Sequence, residues 1–518
     1  MSTSIVTLTP REVPWQPLSD DIVIGRDILE LLSSSMYVDP MTIYREYVQN
    51  AADAIDEARS HNQLGTDPGR VNIRIDTATR SVKITDNGAG IPHEDFVKRL
   101  TAFGASKKRG RGARGFRGVG RLAGIAYCQE LVFRSRTIGE RRVSELRWDC
   151  RKLKTLLRSN DGHQAGLREA VSHIVELRSV APIGWPERFF EVEMRGIVRH
   201  RNDQLLSATA INTYLSQVAP VPFRDDFPLR DSLLAHVGPH VRLGDLQITI
   251  GEGSETIRRP HGPTLETSPG EHDPFTDAEL LTIPSIDGGL AAVGWLLHHG
   301  YSGALPVSCN VRGLRVRCGN IQIGDERLFE ELFPESRFNA WSVGELHVID
   351  ERIVPNGRRD HFEHNVHYDN LLTHLTPAAR DIARRCRTSS MFRKWVRDFE
   401  LQEIAIRERA SILKQGAQRN VDRQRLAEEI RARLVSMSSI AAKELLPTET
   451  AKDLKKRIHR LERDIDGILN GPATPGALAK LARPTRHAYQ HIIGLIYECS
   501  ASQTNAKLLV DKILARLA

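Results

Sequence analysis

The fold is decided by one short stretch, Tyr44-Arg45-Glu46-Tyr47-Val48-Gln49-Asn50-Ala51-Ala52-Asp53-Ala54. If this stretch is helical, Glu46, Asn50 and Asp53 lie at one-turn intervals on one face. The amide oxygen of Asn50 is a hard ligand suited to Mg²⁺, and the carboxylate of Glu46 could accept a proton from an attacking water. The pattern therefore indicates a magnesium–nucleotide site, although a surface amphipathic helix carrying ordinary acids explains it equally well.

A predicted hairpin with a glycine-rich end follows this helix. The apolar residues that alternate with polar ones are Val71, Ile73, Ile75, Val82 and Ile84. This alternation predicts two strands joined by a turn over residues 76–81. The second strand ends in Asp86-Asn87-Gly88-Ala89-Gly90, where the two glycines allow a sharp, close-packed turn. Asp86 could accept a hydrogen bond from an exocyclic amine such as that of adenine.

A third segment, residues 103–124, is rich in glycine and basic residues. Repeated glycines let successive backbone amides point at one anion, and a helix beginning near Val119 would add its positive N-terminal end. Residues 107–121 contain seven basic residues and no acid, a pattern that is also typical of arginine–glycine segments that bind RNA. Phe116, Val119 and Leu122 interrupt the segment, which favours the phosphate-binding interpretation.

The order of these three elements resembles the GHKL superfamily of gyrase-type topoisomerases, ninety-kilodalton heat-shock chaperones, histidine kinases and MutL mismatch-repair proteins. The resemblance is strongest to the heat-shock chaperones, whose corresponding helix is similar to residues 44–56 and whose preceding helix is similar to residues 27–37. It covers roughly residues 20 to 365. Histidine kinases lack a glutamate at the position of Glu46, and no signature of a topoisomerase cleavage domain is found.

The resemblance implies a role for each matching residue, with ATP and Mg²⁺ as cofactors. Glu46 would activate the attacking water, Asn50 would bind Mg²⁺, and Asp86 would bind the adenine amine. The residues implied to shape the nucleotide pocket or its lid are Asp53, Gly88, Gly90, Ser106, Lys107, Gly118, Val119 and Gly120. The family commonly carries a Gly-Thr pair on a late strand, but residues 189–194 lack that threonine. Adenine recognition would then depend on Thr85 or on another group.

A catalytic arginine is implied by Val354-Pro355-Asn356-Gly357-Arg358-Arg359-Asp360. This segment is similar to the chaperones' Pro-x-Asn-x-x-Arg-acid, whose arginine touches the γ-phosphate. Arg359 is the implied residue and Arg358 the alternative, because a guanidinium offers fixed donors to phosphate oxygens. A surface ion pair with Asp360 would explain the pattern without catalysis. The nearby His361, His364 and His367 lack the carboxylate or cysteine of a convincing metal site, so we expect a solvated turn.

The chain of 518 residues is too long for one hydrophobic core and predicts three domains. We expect an α+β protein with a Bergerat-type ATP-binding domain at residues 1–200. A transducer-like domain of the ribosomal-S-five type would follow at residues 201–376, and a helical region with coiled-coil segments at residues 377–518. In the last region Leu454, Ile458, Leu461, Ile465 and Ile468 recur at intervals of four and three residues, as in a coiled coil or long helical hairpin.

Composition narrows the class of protein further. The net charge of +8 permits contact with nucleic acid. The six cysteines are scattered without a Cys-x-x-Cys pair, which suggests neither a disulfide framework nor a zinc module. No signal peptide is recognisable, and the longest apolar run, residues 290–297, is too short to cross a bilayer. We therefore expect a cytoplasmic protein without membrane contact.

These observations together predict an ATPase that works as an ATP-gated clamp. The resemblance implies a homodimer that acts on client proteins, as a chaperone does. Two alternatives stay open. A MutL- or MORC-like clamp would enclose DNA with the arginines of residues 380–433, and a nucleotide-switched subunit would serve a multi-protein assembly such as a phage-defence system.

Overall fold

The computed structural model describes residues 39–102, 120–158, 167–199, 202–243, 246–268, 270–470 and 477–517. The chain divides into two compact units, one ending at Ala383 and the other beginning at Arg384. Both sheets of more than two strands lie in the first unit, and the described part of the second unit is helical. A sheet-rich N-terminal region followed by a helical C-terminal region agrees with the predicted α+β class.

A seven-stranded sheet with the order β5-β4-β3-β6-β2-β1-β7 organises the first unit. Its strands are β1 (Gly69–Asp76), β2 (Ser81–Asp86), β3 (Glu130–Arg136), β4 (Val143–Asp149), β5 (Val175–Val180), β6 (Phe189–Arg195) and β7 (Leu246–Ile250). The predicted hairpin is confirmed, with Ile73 opposite Ile84 in antiparallel register. Strand β7 lies within residues 201–376, the range predicted to form the second domain. It nevertheless pairs in parallel with β1 of the first sheet.

The buried apolar side chains of this sheet lie on its inner face, and helices cover that face. They are α1 (Thr42–Ser60), α2 (His93–Thr101), α3 (Cys150–Arg158), α4 (Leu167–Ile174) and α5 (Ala208–Val218). Helix α1 confirms the helix predicted at residues 44–54. Its Ile43, Val48 and Ile55 are fully buried in the same core as Leu215 of α5. Burial of this apolar side of α1 fixes the orientation of the side that carries Glu46, Asn50 and Asp53.

The outer face of the sheet carries one continuous row of polar side chains. The register aligns Thr249, Asn72, Thr85, Glu191, Arg134, Glu145 and Arg178 across the seven strands. Arg134 Nη1 donates to Glu191 Oε1 at 2.6 Å, and Arg178 Nε donates to Glu145 Oε1 at 2.5 Å. The charges of Arg134, Glu145 and Glu191 are buried, and their pairing and hydrogen bonding offset the cost of that burial.

A second, mixed sheet has the strand order β10-β11-β14-β12-β13. Its strands are β10 (Asp277–Pro284), β11 (Leu290–His298), β12 (Gly313–Cys318), β13 (Ile321–Ile323) and β14 (Val343–Val348), beside a hairpin of β8 (Thr264–Ser268) and β9 (Glu271–Pro274). Helix α6 (Arg230–Val237) packs on it through Leu233, against Trp295 and Phe223. In the segment before β7, the carbonyl of Arg242 accepts from the Asn320 side chain at 2.8 Å.

Buried charges join this second sheet to the end of helix α5. Glu345 of β14 pairs with both Arg259 and Arg317. Arg317 Nη1 also donates to the carbonyl of Ala219 at 3.1 Å, just after α5 ends at Val218. Removing one member would leave an uncompensated buried charge, which typically costs about 3–5 kcal/mol. The network therefore fixes the second sheet relative to α5, which packs in the core of the first.

The helical part comprises α7 (Val366–Lys414), α8 (Asn420–Ala441), α9 (Thr448–Leu469), α10 (Arg483–Cys499) and α11 (Gln503–Leu517). Helix α7 begins before the predicted start near Pro377 and contains that proline. The predicted stripe on α9 is confirmed as a buried helix face, since Leu454, Ile458 and Leu461 share a core with Phe399 and Ile430. Among the described helices, none combines the length and apolar composition that a bilayer span requires.

Candidate nucleotide-binding site

Helix α1 turns two acids toward the protein interior. Glu46 is 7% exposed and Asp53 is 8% exposed, a degree of burial that acidic side chains rarely reach without a partner. Arg45 Nη2 lies 3.4 Å from Glu46 Oε1, and Asn50 lines a cleft on the same side of the helix. A merely solvated helix face does not fit this arrangement, because its acids would be exposed.

About 70 Å³ of the cleft is accessible to water, and the cleft is partly open to solvent. Its lining residues are Tyr47, Asn50, Ala54, Glu57, Ile84, Asp86, Gly90, Ile91, Arg99, Arg121, Phe190 and Val192. The structure thus brings together Asn50, Asp86 and Gly90, predicted from two separate motifs, around one cavity.

Asp86 is the buried acceptor at the strand end of this cleft. Its Oδ1 accepts a hydrogen bond from the backbone N–H of Gly88 at 2.8 Å. Burial raises the pKa of Asp86 to about 7, against the opposing effects of the Gly88 N–H and the Arg188 charge. A buried carboxylate without a cation in contact gains from an added donor such as an amine, which is the chemistry predicted for adenine.

The two glycines of Asp86-Asn87-Gly88-Ala89-Gly90 are required by close contacts. A Cβ atom at Gly88 would lie 2.6 Å from the Cβ of Ala54 on α1. Gly90 has a φ of +73°, and a Cβ there would collide with the carbonyl oxygen of Arg136. The loop therefore packs directly between α1 and strand β3, with room for no side chain at either position.

The prediction that Thr85 could assist Asp86 in binding adenine is wrong. Successive side chains of a strand point to opposite faces, and Thr85 Oγ1 donates to Glu191 Oε2 at 3.0 Å on the outer face. Ser135 of β3 supports the loop instead: its Oγ accepts from the backbone N–H of Ile91 at 2.6 Å. Since Ile91 and Gly90 both line the cleft, Ser135 fixes the wall beside Asp86, a role that the sequence did not reveal.

The carboxylate of Glu46 lies directly against the backbone of Gly120. A Cβ atom at Gly120 would collide with Glu46 Oε2. Gly120 begins a short 3-10 helix, Gly120–Ala126, close to where a helix was predicted to begin. The backbone of this 3-10 helix lies close to α1, and the Gly124 N–H donates to the hydroxyl of Tyr47 on α1 at 2.9 Å. The other predicted lid residues, Ser106, Lys107, Gly118 and Val119, lie outside the described residues.

Arg359 belongs to a turn that contacts α1 through its backbone. Arg45 Nη2 donates to the carbonyl of Arg358 at 3.1 Å, and Arg45 Nη1 donates to that of Arg359 at 3.5 Å. Arg359 is 8% exposed and has a φ of +57°, in the sparsely populated left-handed region. The turn of the predicted catalytic arginine is therefore attached to Arg45, the residue beside Glu46. No sequence pattern indicates this role of Arg45.

Magnesium ligation fits the donor set of the cleft. Within the described ranges, no group of three or more His, Cys, Asp or Glu side chains could hold a metal ion, and this covers His361, His364 and His367. Mg²⁺ is commonly held by one or two protein oxygens together with waters and substrate phosphates. A single amide such as that of Asn50 matches this requirement, and the residues that the structure describes offer no all-protein cage.

Comparison with known proteins defines the class of this fold and site. Residues 40–164 match the family described as histidine kinase-, DNA gyrase B-, and HSP90-like ATPase. This range includes α1, the β1–β2 hairpin, the Asp86 loop and Gly120. The resemblance to the GHKL superfamily, with an HSP90-like character, is confirmed.

The individual relatives are chaperones. The chain is 28% identical over 142 residues to the chaperone protein HtpG of Burkholderia lata, covering 24% of this chain and 22% of that protein. HtpG of Rickettsia canadensis is 28% identical over 162 residues, 28% of this chain and 26% of its own length. HtpG of Methylococcus capsulatus is 26% identical over 204 residues, with 35% and 30% covered. The matched segments thus span less than a third of each relative.

Proposed function

We propose that the protein binds ATP with Mg²⁺ in the cleft between α1 and the first sheet and hydrolyses its terminal phosphate. The observation that carries this proposal is the convergence of Asn50, Asp86 and Gly90 on one cavity, in a segment that matches a GHKL-type ATPase. Asp86 would accept a hydrogen bond from the adenine amine, and Gly88 and Gly90 would let the base approach the loop.

Hydrolysis would take place where Glu46 meets Gly120. Glu46 would accept the proton of the attacking water, a contribution typically worth about 10²- to 10⁴-fold in rate. Bound Mg²⁺ would neutralise the phosphate charge, with Asn50 as its protein ligand. Arg359 would stabilise charge on the γ-phosphate, and Arg45 would hold the turn that carries it.

The test is phosphate release by the wild type and by Glu46→Ala, with ATP binding measured in both. We expect the variant to retain ATP and lose hydrolysis. Asp56→Asn is the matched control, because Asp56 lies on the same helix but pairs with Arg59 and does not line the cleft. Equal hydrolysis by the wild type and Glu46→Ala would remove Glu46 from its role.

We propose further that ATP closes a homodimeric clamp that acts on client proteins. The sequence similarity to HtpG chaperones supports this clamp proposal. A ligand shifts such an equilibrium only through contacts that differ between the open and closed forms. Mass measurement in solution with a non-hydrolysable ATP analogue should give a dimer, and a monomer at all concentrations would exclude the clamp.

A DNA clamp is the second candidate, supported by the net charge of +8. Several arginines of α7 and α8 are already paired, since Arg407 contacts Glu403 at 2.9 Å and Arg409 contacts Glu429 at 2.7 Å. An arginine already paired with a carboxylate has fewer donors left for DNA phosphates, which weakens the support for a DNA clamp. Retention on DNA that falls steeply with salt would instead support the second candidate.

A further inference from the structure

Two arginines line the cleft that also holds Asn50 and Asp86. Arg99 lies in the last turn of α2, and Arg121 follows Gly120 in the 3-10 helix. Arg99 is partly neutralised by Asp95, whose carboxylate lies 3.2 Å from its Nη2. For Arg121, no carboxylate partner exists among the described residues. Glu57 is also part of the lining but forms no ion pair with Arg121.

The guanidinium of Arg121 makes one hydrogen bond that caps a helix of the protein. Its Nη1 donates to the backbone carbonyl of Arg99, near the C-terminal end of α2, where a positive charge is favourable. A guanidinium has five N–H donors in a planar fork. A capping role therefore uses only part of the donor capacity of Arg121.

An anion in the cleft would relieve an unfavourable arrangement of charge. Burial, and then the neighbouring charge of Arg99, lower the pKa of Arg121, which means that its surroundings in the protein disfavour the charged form. Gly120, the preceding residue, touches the carboxylate of Glu46. Arg121 thus lies near the proposed hydrolysis end of the cleft, where phosphate oxygens would supply the missing negative charge.

We infer that Arg121, with Arg99 beside it, binds the phosphate groups of the nucleotide and makes the site selective for polyphosphate over the bare nucleoside. This inference rests on the proposed function and names a residue that recognises the tail of the substrate. A guanidinium can bind two phosphate oxygens at once in its fork geometry.

The test compares the affinity of the full-length protein for ATP and for adenosine by calorimetry in a magnesium buffer. Arg121→Gln should weaken ATP binding by roughly tenfold to a hundredfold, the range expected for lost charge-assisted hydrogen bonds. Adenosine binding should change by less than about threefold, because the nucleoside carries no phosphate to contact the guanidinium. Arg121→Lys should be intermediate, since it keeps the charge but loses the fork.

Arg74→Gln is the matched control, because Arg74 lies on the outer face and pairs with Glu252 at 2.9 Å; both affinities should stay at the wild-type value. If Arg121→Gln weakens ATP and adenosine equally, Arg121 only caps α2 and the inference is overturned. An unchanged affinity for ATP overturns it as well. A wild-type protein that binds neither ligand would overturn the proposed function itself, and the inference with it.

Discussion

The guanidinium of Arg45 donates from Nη2 to the backbone carbonyl of Arg358 at 3.1 Å, and so connects α1 to a turn more than three hundred residues later in the chain. The same Nη2 lies 3.4 Å from Glu46 Oε1. One buried side chain therefore contacts both the proposed general base and the turn that carries the proposed catalytic arginine.

We expect Arg45→Ala to lower the hydrolysis rate by about tenfold or more, since a loss of about 1.4 kcal/mol of transition-state stabilisation by a misplaced Arg359 lowers the rate tenfold. The turn of Arg358 and Arg359 would then lose its attachment to α1. ATP affinity should change little, because Arg45 does not line the cleft. Steady-state hydrolysis and calorimetric ATP binding measure the two effects separately.

Arg59→Ala is the matched control for this experiment, because Arg59 lies on the same helix but pairs with Asp56 at 3.5 Å and does not line the cleft. It should keep near wild-type hydrolysis, and Arg45→Lys should fall between the two, since one ammonium cannot reproduce the planar fork. Wild-type hydrolysis and melting temperature for Arg45→Ala would contradict the connection.

Gly120→Ala should reduce hydrolysis strongly, because the added Cβ would collide with Glu46 Oε2. Either the carboxylate or the 3-10 helix must move, and the proposed general base would lose its position. The expected signature is a fall in kcat that exceeds any change in ATP affinity. Phosphate release at saturating ATP gives the measurement.

Gly467→Ala provides the comparison. Gly467 lies in α9, and a Cβ there would meet no atom within 4 Å. A helical Gly→Ala change of this kind stabilises by roughly 0.5–1 kcal/mol, and hydrolysis should be unchanged. If Gly120→Ala behaved in the same way, the contact between Gly120 and Glu46 would have no part in the reaction.

The raised pKa of Asp86, about 7, predicts two opposite pH effects. Without ligand, the folded protein holds this proton up to about pH 7 while an unfolded chain releases it near its ordinary pKa of about 4. The stabilising contribution of Asp86 is therefore complete below about pH 4 and is lost as the pH rises to about 7. Thermal unfolding of Asp86→Asn should lack this component.

Adenosine binding should show the reverse trend. The ionised carboxylate is the better acceptor for the adenine amine, so affinity should rise between about pH 6 and pH 8 as Asp86 loses its proton. Adenosine is the appropriate probe because it carries no phosphate that titrates in this range. Affinity that is flat with pH in the wild type, or retained in Asp86→Asn, would contradict the role of Asp86.

Local patterns in the sequence were sufficient to predict the parts of the site that depend on near neighbours. The β1–β2 hairpin follows from strand alternation alone, which already places Thr85 and Asp86 on opposite faces. The spacing of Glu46, Asn50 and Asp53 predicts their shared face once the stretch is taken as helical. Contacts between distant segments left no such signal. Parallel pairing of β7 with β1 and the bond from Arg45 to a carbonyl of residue 358 depend on the folded chain, because a backbone acceptor carries no information in its side chain.

The apolar stripe of α9 gives a last prediction, about the kind of packing it serves. In this structure Ile458 is buried in a core formed with α7 and α8 of the same chain. Ile458→Ala should therefore destabilise the helical region by about 2–5 kcal/mol, as large-to-small core substitutions do. The loss should be independent of protein concentration, whereas a stripe that formed an intermolecular coiled coil would give a concentration-dependent transition.

Val435→Ala on α8 is the control, since Val435 is 69% exposed and such surface changes usually stay within about 0.5 kcal/mol. Unfolding of the full-length chain, followed by circular dichroism at two protein concentrations a hundredfold apart, distinguishes the cases. Two results would show that the stripe does not pack within a single chain. One is an unfolding midpoint of Ile458→Ala equal to that of the wild type. The other is a midpoint that depends on protein concentration in the wild type but not in Ile458→Ala.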